Sequence, residues 1–291
     1  QKIIVNLKNY LVAGLENEIS VKTQTADGFV SSRGVSLKHK EPSKTATKKP
    51  AFYAIICGTG EFSNPGINLK YAVPDANAMA KAITVGANNL FGKDSTHIYL
   101  LSSPGNNPTN KKNIQQAFAD VKKKAKPEDI VVVYLSGHGI TYGGESGDFY
   151  YLTTEASGGS AESFADPVLR QAQTINTAEF TQWLNAIPAL KQIMIIDACG
   201  SGKAVDNLIA KRDVDASQIK AIDRMKDRTG LYIISGCASD AVSYEATRYG
   251  QGLLTYSLLQ AMKGAALKEN VNVDVLTMLN YARDEVPKMA N

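Results

Sequence analysis

Two glycine-rich stretches carry the side chains best suited to chemistry. Ser136-Gly137-His138-Gly139 follows one apolar run, and Asp197-Ala198-Cys199-Gly200-Ser201-Gly202 follows another. Each run has strand length and ends in a turn of small residues that presents one reactive group. The glycines let a backbone approach a ligand closely. A thiol with an ordinary pKa of about 8.5 is only partly ionised at neutral pH. An imidazole beside it can take its proton and return one to a departing amine. The backbone N–H groups of Gly139 and Cys199 are candidates for an oxyanion hole. A single cysteine after a strand is usually a small buried hydrophobe, and a single histidine is usually structural. The same context at both positions favours catalysis.

Other chemistries find less support. His39, His97 and His138 are scattered, and no Cys-x-x-Cys or His-x-x-x-His spacing occurs, so a metal centre is not indicated. Gly58-Thr59-Gly60 lacks the continuation of a dinucleotide loop, and no phosphate-binding Gly-x-x-x-x-Gly-Lys-Ser/Thr loop is present. Cys57 sits within an apolar run and reads as core; Cys237 reads as structural or near the site. Three cysteines do not build a disulfide scaffold. They fit a reducing, cytoplasmic setting.

These reactive groups need a framework to position them. Apolar runs of strand length lie at 52–57, 97–101, 130–135, 193–196 and 231–234. Their continuity suggests strands covered on both faces. Helical stripes alternate with them: Ala76, Met79, Ala80 and Ile83; Ile114, Ala117, Phe118 and Val121; Phe180, Trp183 and Leu184 after an Asn176/Glu179 cap; Leu253, Leu254, Ser257, Leu258 and Ala261; and a last helix over about 274–286. This alternation predicts an open, mostly parallel α/β sheet. Ligands bind such sheets at the carboxyl ends of their strands, where His138 and Cys199 both fall.

Residues 1–40 differ. An alternating run at 18–23, an Asp27-Gly28 turn and a return strand over 30–37 predict a β-hairpin, the remnant of an upstream β-sandwich. Residues 41–50 read as a linker. The 291 residues, 44% hydrophobic and 21% charged, describe a globular chain. No apolar run approaches the ~18 residues of a membrane span, and no secretory leader is visible from Gln1 onward. The net charge of +4 comes largely from Lys38, Lys40, Lys44, Lys48 and Lys49 and from Lys122, Lys123, Lys124 and Lys126. These clusters read as solvated surface, so neither nucleic acid nor membrane is an expected partner.

Taken in order, these motifs resemble those of the caspase-like cysteine peptidases (family C14, clan CD), in their metacaspase and bacterial caspase-homologue branch. The resemblance runs from Ala51 to the end. It is carried by Tyr53-Ala54-Ile55-Ile56-Cys57-Gly58, the segment Leu69 to Ala76, the two reactive motifs, the segment Ser235 to Glu245 and Gly252-Leu253-Leu254-Thr255. It implies a three-layer α/β sandwich around a mostly parallel six-stranded sheet. It divides 51–291 into a large-subunit-like part (51–203), a candidate processing linker (204–230) and a small-subunit-like part (231–291). His138 and Cys199 would form the dyad of an endopeptidase acting through an acyl-enzyme thioester, without an organic cofactor.

The resemblance also bears on specificity. Caspases hold a P1 aspartate with two arginines and a glutamine; here Leu69, Glu245 and Asp197 stand at those positions. Metacaspases hold P1 Arg or Lys with acidic residues, and Asp75, Ser136 and Asp197 match those positions, with Glu245 a further candidate. Carboxylates pair with guanidinium or ammonium through charge-assisted hydrogen bonds. The plainer alternatives are a helix N-cap for Asp75, a turn-stabilising role for Asp197 and simple exposure for Glu245. Lys211, Arg212, Lys220, Arg224, Lys226 and Arg228 make the processing linker a candidate for self-cleavage of a zymogen. Asp206 matches a calcium-ligand position of some metacaspases, but Glu145 and Asp148 are sparse company for a cation that takes about six to eight oxygens. The expected partners are protein or peptide substrates with basic P1, and an upstream sensor or regulatory domain outside this chain. The competing readings are a silent caspase-like scaffold and a peptidase preferring P1 Asp or a small residue.

Overall fold

A computed structural model describes residues 4–7, 11, 16–23, 32–40, 49–142, 148–159, 161–198, 232–235, 250–267 and 274–290. The N-terminal hairpin pairs β1 (Glu16–Val21) with β2 (Val35–Lys40) antiparallel, setting Ile19 opposite Leu37 and Val21 opposite Val35. The second strand begins later than the sequence suggests. Gly34 adopts φ +76°, and a Cβ there would meet the Val21 carbonyl oxygen at 2.5 Å, so the regular ladder is interrupted there, although Ser32 N still donates to the Thr23 carbonyl oxygen at 2.8 Å.

Along the rest of the chain follow β3 (Phe52–Thr59), α1 (Ala72–Phe91), β4 (Thr96–Ser103), α2 (Lys111–Lys124), β5 (Ile130–Ser136), β6 (Gly139–Tyr142), β7 (Asp148–Leu152), α3 (Pro167–Gln173), β8 (Thr174–Asn176), α4 (Thr177–Asn185), β9 (Lys191–Asp197), β10 (Tyr232–Ser235), α5 (Leu253–Gln260) and α6 (Val275–Ala290). The central sheet runs β10-β9-β5-β3-β4, with every neighbouring pair parallel. The expected six-stranded sheet is thus seen as five parallel strands among the described residues.

Strand alternation divides the core in two. Ile55, Val133 and Ile196 face Ile114, Phe118 and Val121 of α2 and Phe180 and Leu184 of α4. Ala54, Ile56, Tyr134 and Ile195 face Ala76, Met79 and Ile83 of α1, Leu254 and Leu258 of α5, and Ala282 of α6. Each large side chain so buried contributes about 1.5–3 kcal/mol of transfer free energy. Two covered faces explain the unbroken apolar runs. The capping box at α4 forms as its sequence predicts: the Asn176 side chain accepts from Glu179 N, and the Glu179 carboxylate accepts from Asn176 N.

A small antiparallel sheet, β6-β7-β8, has no counterpart in the sequence reading. Its strands are short, and β6 opens on a glycine directly after His138. Among the described residues, no helix is long and apolar enough to cross a membrane.

Candidate active site

Parallel register brings the carboxyl ends of three strands level, with Gly58 of β3 beside Ser136 of β5, and Ser136 beside Asp197 of β9. His138 follows β5 at this edge and is only 1% exposed. Its Nε2 lies 2.7 Å from the Ile67 carbonyl oxygen. A carbonyl can only accept, so Nε2 carries the proton and Nδ1 keeps its lone pair. Nδ1 is buried, with no hydrogen-bond partner among the described residues. The Phe62 ring packs beside the imidazole at 5.2 Å between centroids. Burial lowers the His138 pKa to about 4, against a smaller opposing effect of the Ile67 carbonyl. Ile67 ends a short 3-10 turn, Pro65–Ile67, whose entry is fixed by the Asn64 side chain accepting from Gly66 N at 2.9 Å.

The segment leading to Cys199 runs directly against the His138 turn. Gly137 N donates to the Asp197 carbonyl oxygen at 3.3 Å. A Cβ on Gly139 would stand 2.6 Å from the Ala198 carbonyl oxygen and would collide with the Phe149 ring. Glycine at 139 is therefore what lets the two segments touch. The residue before Cys199 thus adjoins the residue after His138. Cys199 itself lies outside the described residues, as do Glu145, Asp206, Cys237, Glu245 and the six basic positions from Lys211 to Arg228.

The acidic residues converge nearby. Asp75 is 2% exposed on the first turn of α1. It is not that helix's N-cap, which is Tyr71, so the plainer reading of Asp75 does not hold. Its Oδ2 accepts from Gly252 N at 3.0 Å. Asp197, half-buried, reaches across to α5, where its Oδ2 accepts from Thr255 N at 3.3 Å and from Thr255 Oγ1 at 2.5 Å. A Cβ on Gly252 would lie 2.9 Å from Asp197 Oδ2 and 3.0 Å from Asp75 Oδ2, so both carboxylates point at one spot. Desolvation raises the Asp197 pKa, while the bonds from Thr255 lower it. Ser136, paired in register with Asp197, is buried, and its carbonyl oxygen accepts from Tyr151 OH at 2.9 Å.

Gly58 lets α1 sit this close. A Cβ there would meet the Ala72 carbonyl oxygen and the Ala76 Cβ, each at 2.6 Å. Leu69 packs into an apolar cluster with Phe62 and Ile67. Asp148 accepts from Thr177 Oγ1 at 3.0 Å. Cys57 is fully buried, and burial pushes its thiol pKa far up, as a core cysteine requires.

Residues 51–291 match the Peptidase C14 caspase domain. The chain belongs to the caspase-domain family. A crystal structure of a protein from Geobacter sulfurreducens is similar at TM-score 0.50 and 16% identity, covering 75% of this chain and 84% of that one. Caspase-1 from Spodoptera frugiperda gives TM-score 0.48 and 12% identity, covering 82% and 77%. At 16% identity the likeness to the Geobacter sulfurreducens protein is one of fold. No match was found among curated proteins.

In this caspase-domain chain, three contributors escaped the sequence reading. The Ile67 contribution is a main-chain carbonyl, which no residue type announces. In the sequence Thr255 stands out only as the end of Gly252-Leu253-Leu254-Thr255, and Tyr134 only as part of an apolar run. Tyr134 OH lies 2.5 Å from Thr255 Oγ1 and is completely buried. A tyrosine inside a buried strand must find a partner for its hydroxyl, and that is the available signal.

Proposed function

We propose that this caspase-domain chain is a cysteine endopeptidase that cleaves after Arg or Lys, with Cys199 as nucleophile and His138 as base. The observation that carries this is the fixed tautomer of His138. Its Nε2–H is committed to Ile67, and its basic Nδ1 is buried at the turn that abuts Ala198, the residue before Cys199. An imidazole with a pKa of about 4 is neutral at pH 7 and so is available as a base.

In this reading Nδ1 takes the Cys199 proton, and sulfur attacks the scissile carbonyl carbon. The oxygen becomes an oxyanion, received by the N–H groups of Gly139 and Cys199. As the intermediate collapses, the C–N bond breaks and Nδ1–H protonates the leaving amine. A thioester remains. Water, losing a proton to Nδ1, then attacks it; the C–S bond breaks, and that proton returns to sulfur. Asp75 and Asp197 would flank a P1 guanidinium or ammonium and repel a P1 carboxylate. The basic positions between 204 and 230 would suit the same pocket, so self-processing belongs to this proposal. Neither an organic cofactor nor calcium is required in it.

The test is hydrolysis of fluorogenic peptides differing only at P1 (Arg, Lys, Asp, Ala), with wild type and Cys199→Ala, with and without calcium. Cleavage after Arg or Lys, lost in Cys199→Ala, is the expected result. Cleavage after Asp would overturn the acidic pocket. No cleavage, together with failure of a thiol-reactive peptide probe to label Cys199, would overturn the peptidase reading in favour of a scaffold.

A further inference from the structure

We propose that Thr255 is the positioning residue of the acidic P1 pair, fixing Asp197 through its backbone N–H and its hydroxyl, with Tyr134 behind it setting the direction of that hydroxyl. This rests on the reading of Asp75 and Asp197 as the P1 pocket. Thr255 lies beyond the candidate processing linker, on α5, whereas both carboxylates precede that linker.

The proton directions follow from chemistry. An ionised carboxylate only accepts, so the Thr255 hydroxyl gives its one proton to Asp197 Oδ2. Tyr134 OH, in contact with the same Oγ1, must then be the donor to it. The result is a one-way chain, Tyr134 to Thr255 to Asp197, in which each donor is held by the one behind. Asp75 is served by the same helix end through Gly252 N.

This arrangement answers a specific electrostatic difficulty. Two carboxylates aimed at one spot oppose each other's ionisation, yet a P1 cation is held best when both are charged. The amino end of α5 supplies the compensation: two main-chain N–H groups, one hydroxyl and the positive end of a helix. Among the described residues, the titratable groups facing Asp197 are Asp75 from α1 and Tyr134 from β5. Neither Leu253–Gln260 of α5 nor Tyr232–Ser235 of β10 contains a charged residue. No cation from these elements substitutes for the Thr255 hydroxyl.

The experiment measures the pH dependence of P1-Arg peptide hydrolysis by wild type, Thr255→Val, Thr255→Ser and Tyr134→Phe. Valine keeps the shape and the N–H but removes the hydroxyl. The expected loss in kcat/KM at neutral pH is on the order of tenfold, as for one hydrogen bond to a charged group, and it resides in KM rather than kcat. The acidic limb of the kcat/KM profile moves to higher pH, because Asp197 loses a bond that favours its charged form. Serine restores both, and Tyr134→Phe shifts both in the same direction by less. Alkylation of Cys199 by iodoacetamide, which needs no P1 group, keeps its wild-type rate. As a readout independent of turnover, 13C NMR of the Asp197 carboxyl titrates at higher pH in Thr255→Val and Tyr134→Phe.

An unmoved acidic limb and unmoved KM in Thr255→Val would overturn the inference while leaving the P1 reading intact. So would an equal loss of alkylation rate, which marks a merely structural role. Wild type that does not cleave after Arg or Lys would overturn the P1 reading, and this inference with it.

Discussion

A buried neutral imidazole makes the fold sensitive to acid in a defined window. His138 binds a proton at about pH 4 in the folded chain but near its ordinary value of 6.5 when unfolded. Between those values the unfolded state holds more protons, so stability is full above about 6.5 and falls as pH drops toward 4. The two values differ enough to contribute about 3 kcal/mol. Urea midpoints of wild type are expected to fall across this interval, and those of His138→Ala to fall less steeply; parallel profiles would show that other groups set the acid response. His138 and Cys199 stand out in the sequence because their types are rare and their glycine contexts match. The Ile67 carbonyl that chooses the tautomer is not legible, since every residue carries a main-chain carbonyl. Asp75 admitted a capping role in the sequence, because an acid near a helix start reads alike at the cap and in the first turn; the structure puts it in the first turn.

At the level of elements, glycines govern how closely helices and turns approach the sheet. Gly58→Ala would drive a methyl into the Ala72 carbonyl oxygen and the Ala76 Cβ. The expected cost is about 1–3 kcal/mol of stability, as for overpacking a filled core. Displacing the first turn of α1 also moves Asp75, so KM for a P1-Arg peptide should rise more than kcat falls. Denaturant midpoints and steady-state kinetics check the two parts separately. The five strands and the main helices were legible because two covered faces leave unbroken apolar runs and single-faced helices leave stripes. The β6-β7-β8 sheet was not, since strands of three to five residues carry too little pattern. The late start of β2 was hidden for a different reason: it depends on a carbonyl that meets Gly34 from the opposite strand.

At the scale of the molecule, the chain keeps an unresolved obligation at its amino-terminal hairpin. Val21, Val35 and Leu37 share one face and are 68%, 76% and 63% exposed. Two strands do not form a core by themselves, so deleting residues 1–40 should leave the thermal midpoint of the caspase domain nearly unchanged, as scanning calorimetry would show. The other large-scale feature is that the sheet and the hydrogen bonds to the acidic pair both span 204–230. β10 lies parallel beside β9, and α5 grips carboxylates that belong to α1 and β9. Connectivity along the chain is therefore separable from assembly. Residues 51–203 and 231–291, produced as two polypeptides in one cell, should copurify as a single particle and hydrolyse a P1-Arg peptide, while either half alone does not. In the proposed reading the pocket is shared property: one half owns the carboxylates, and the other half owns the N–H groups and the hydroxyl that hold them.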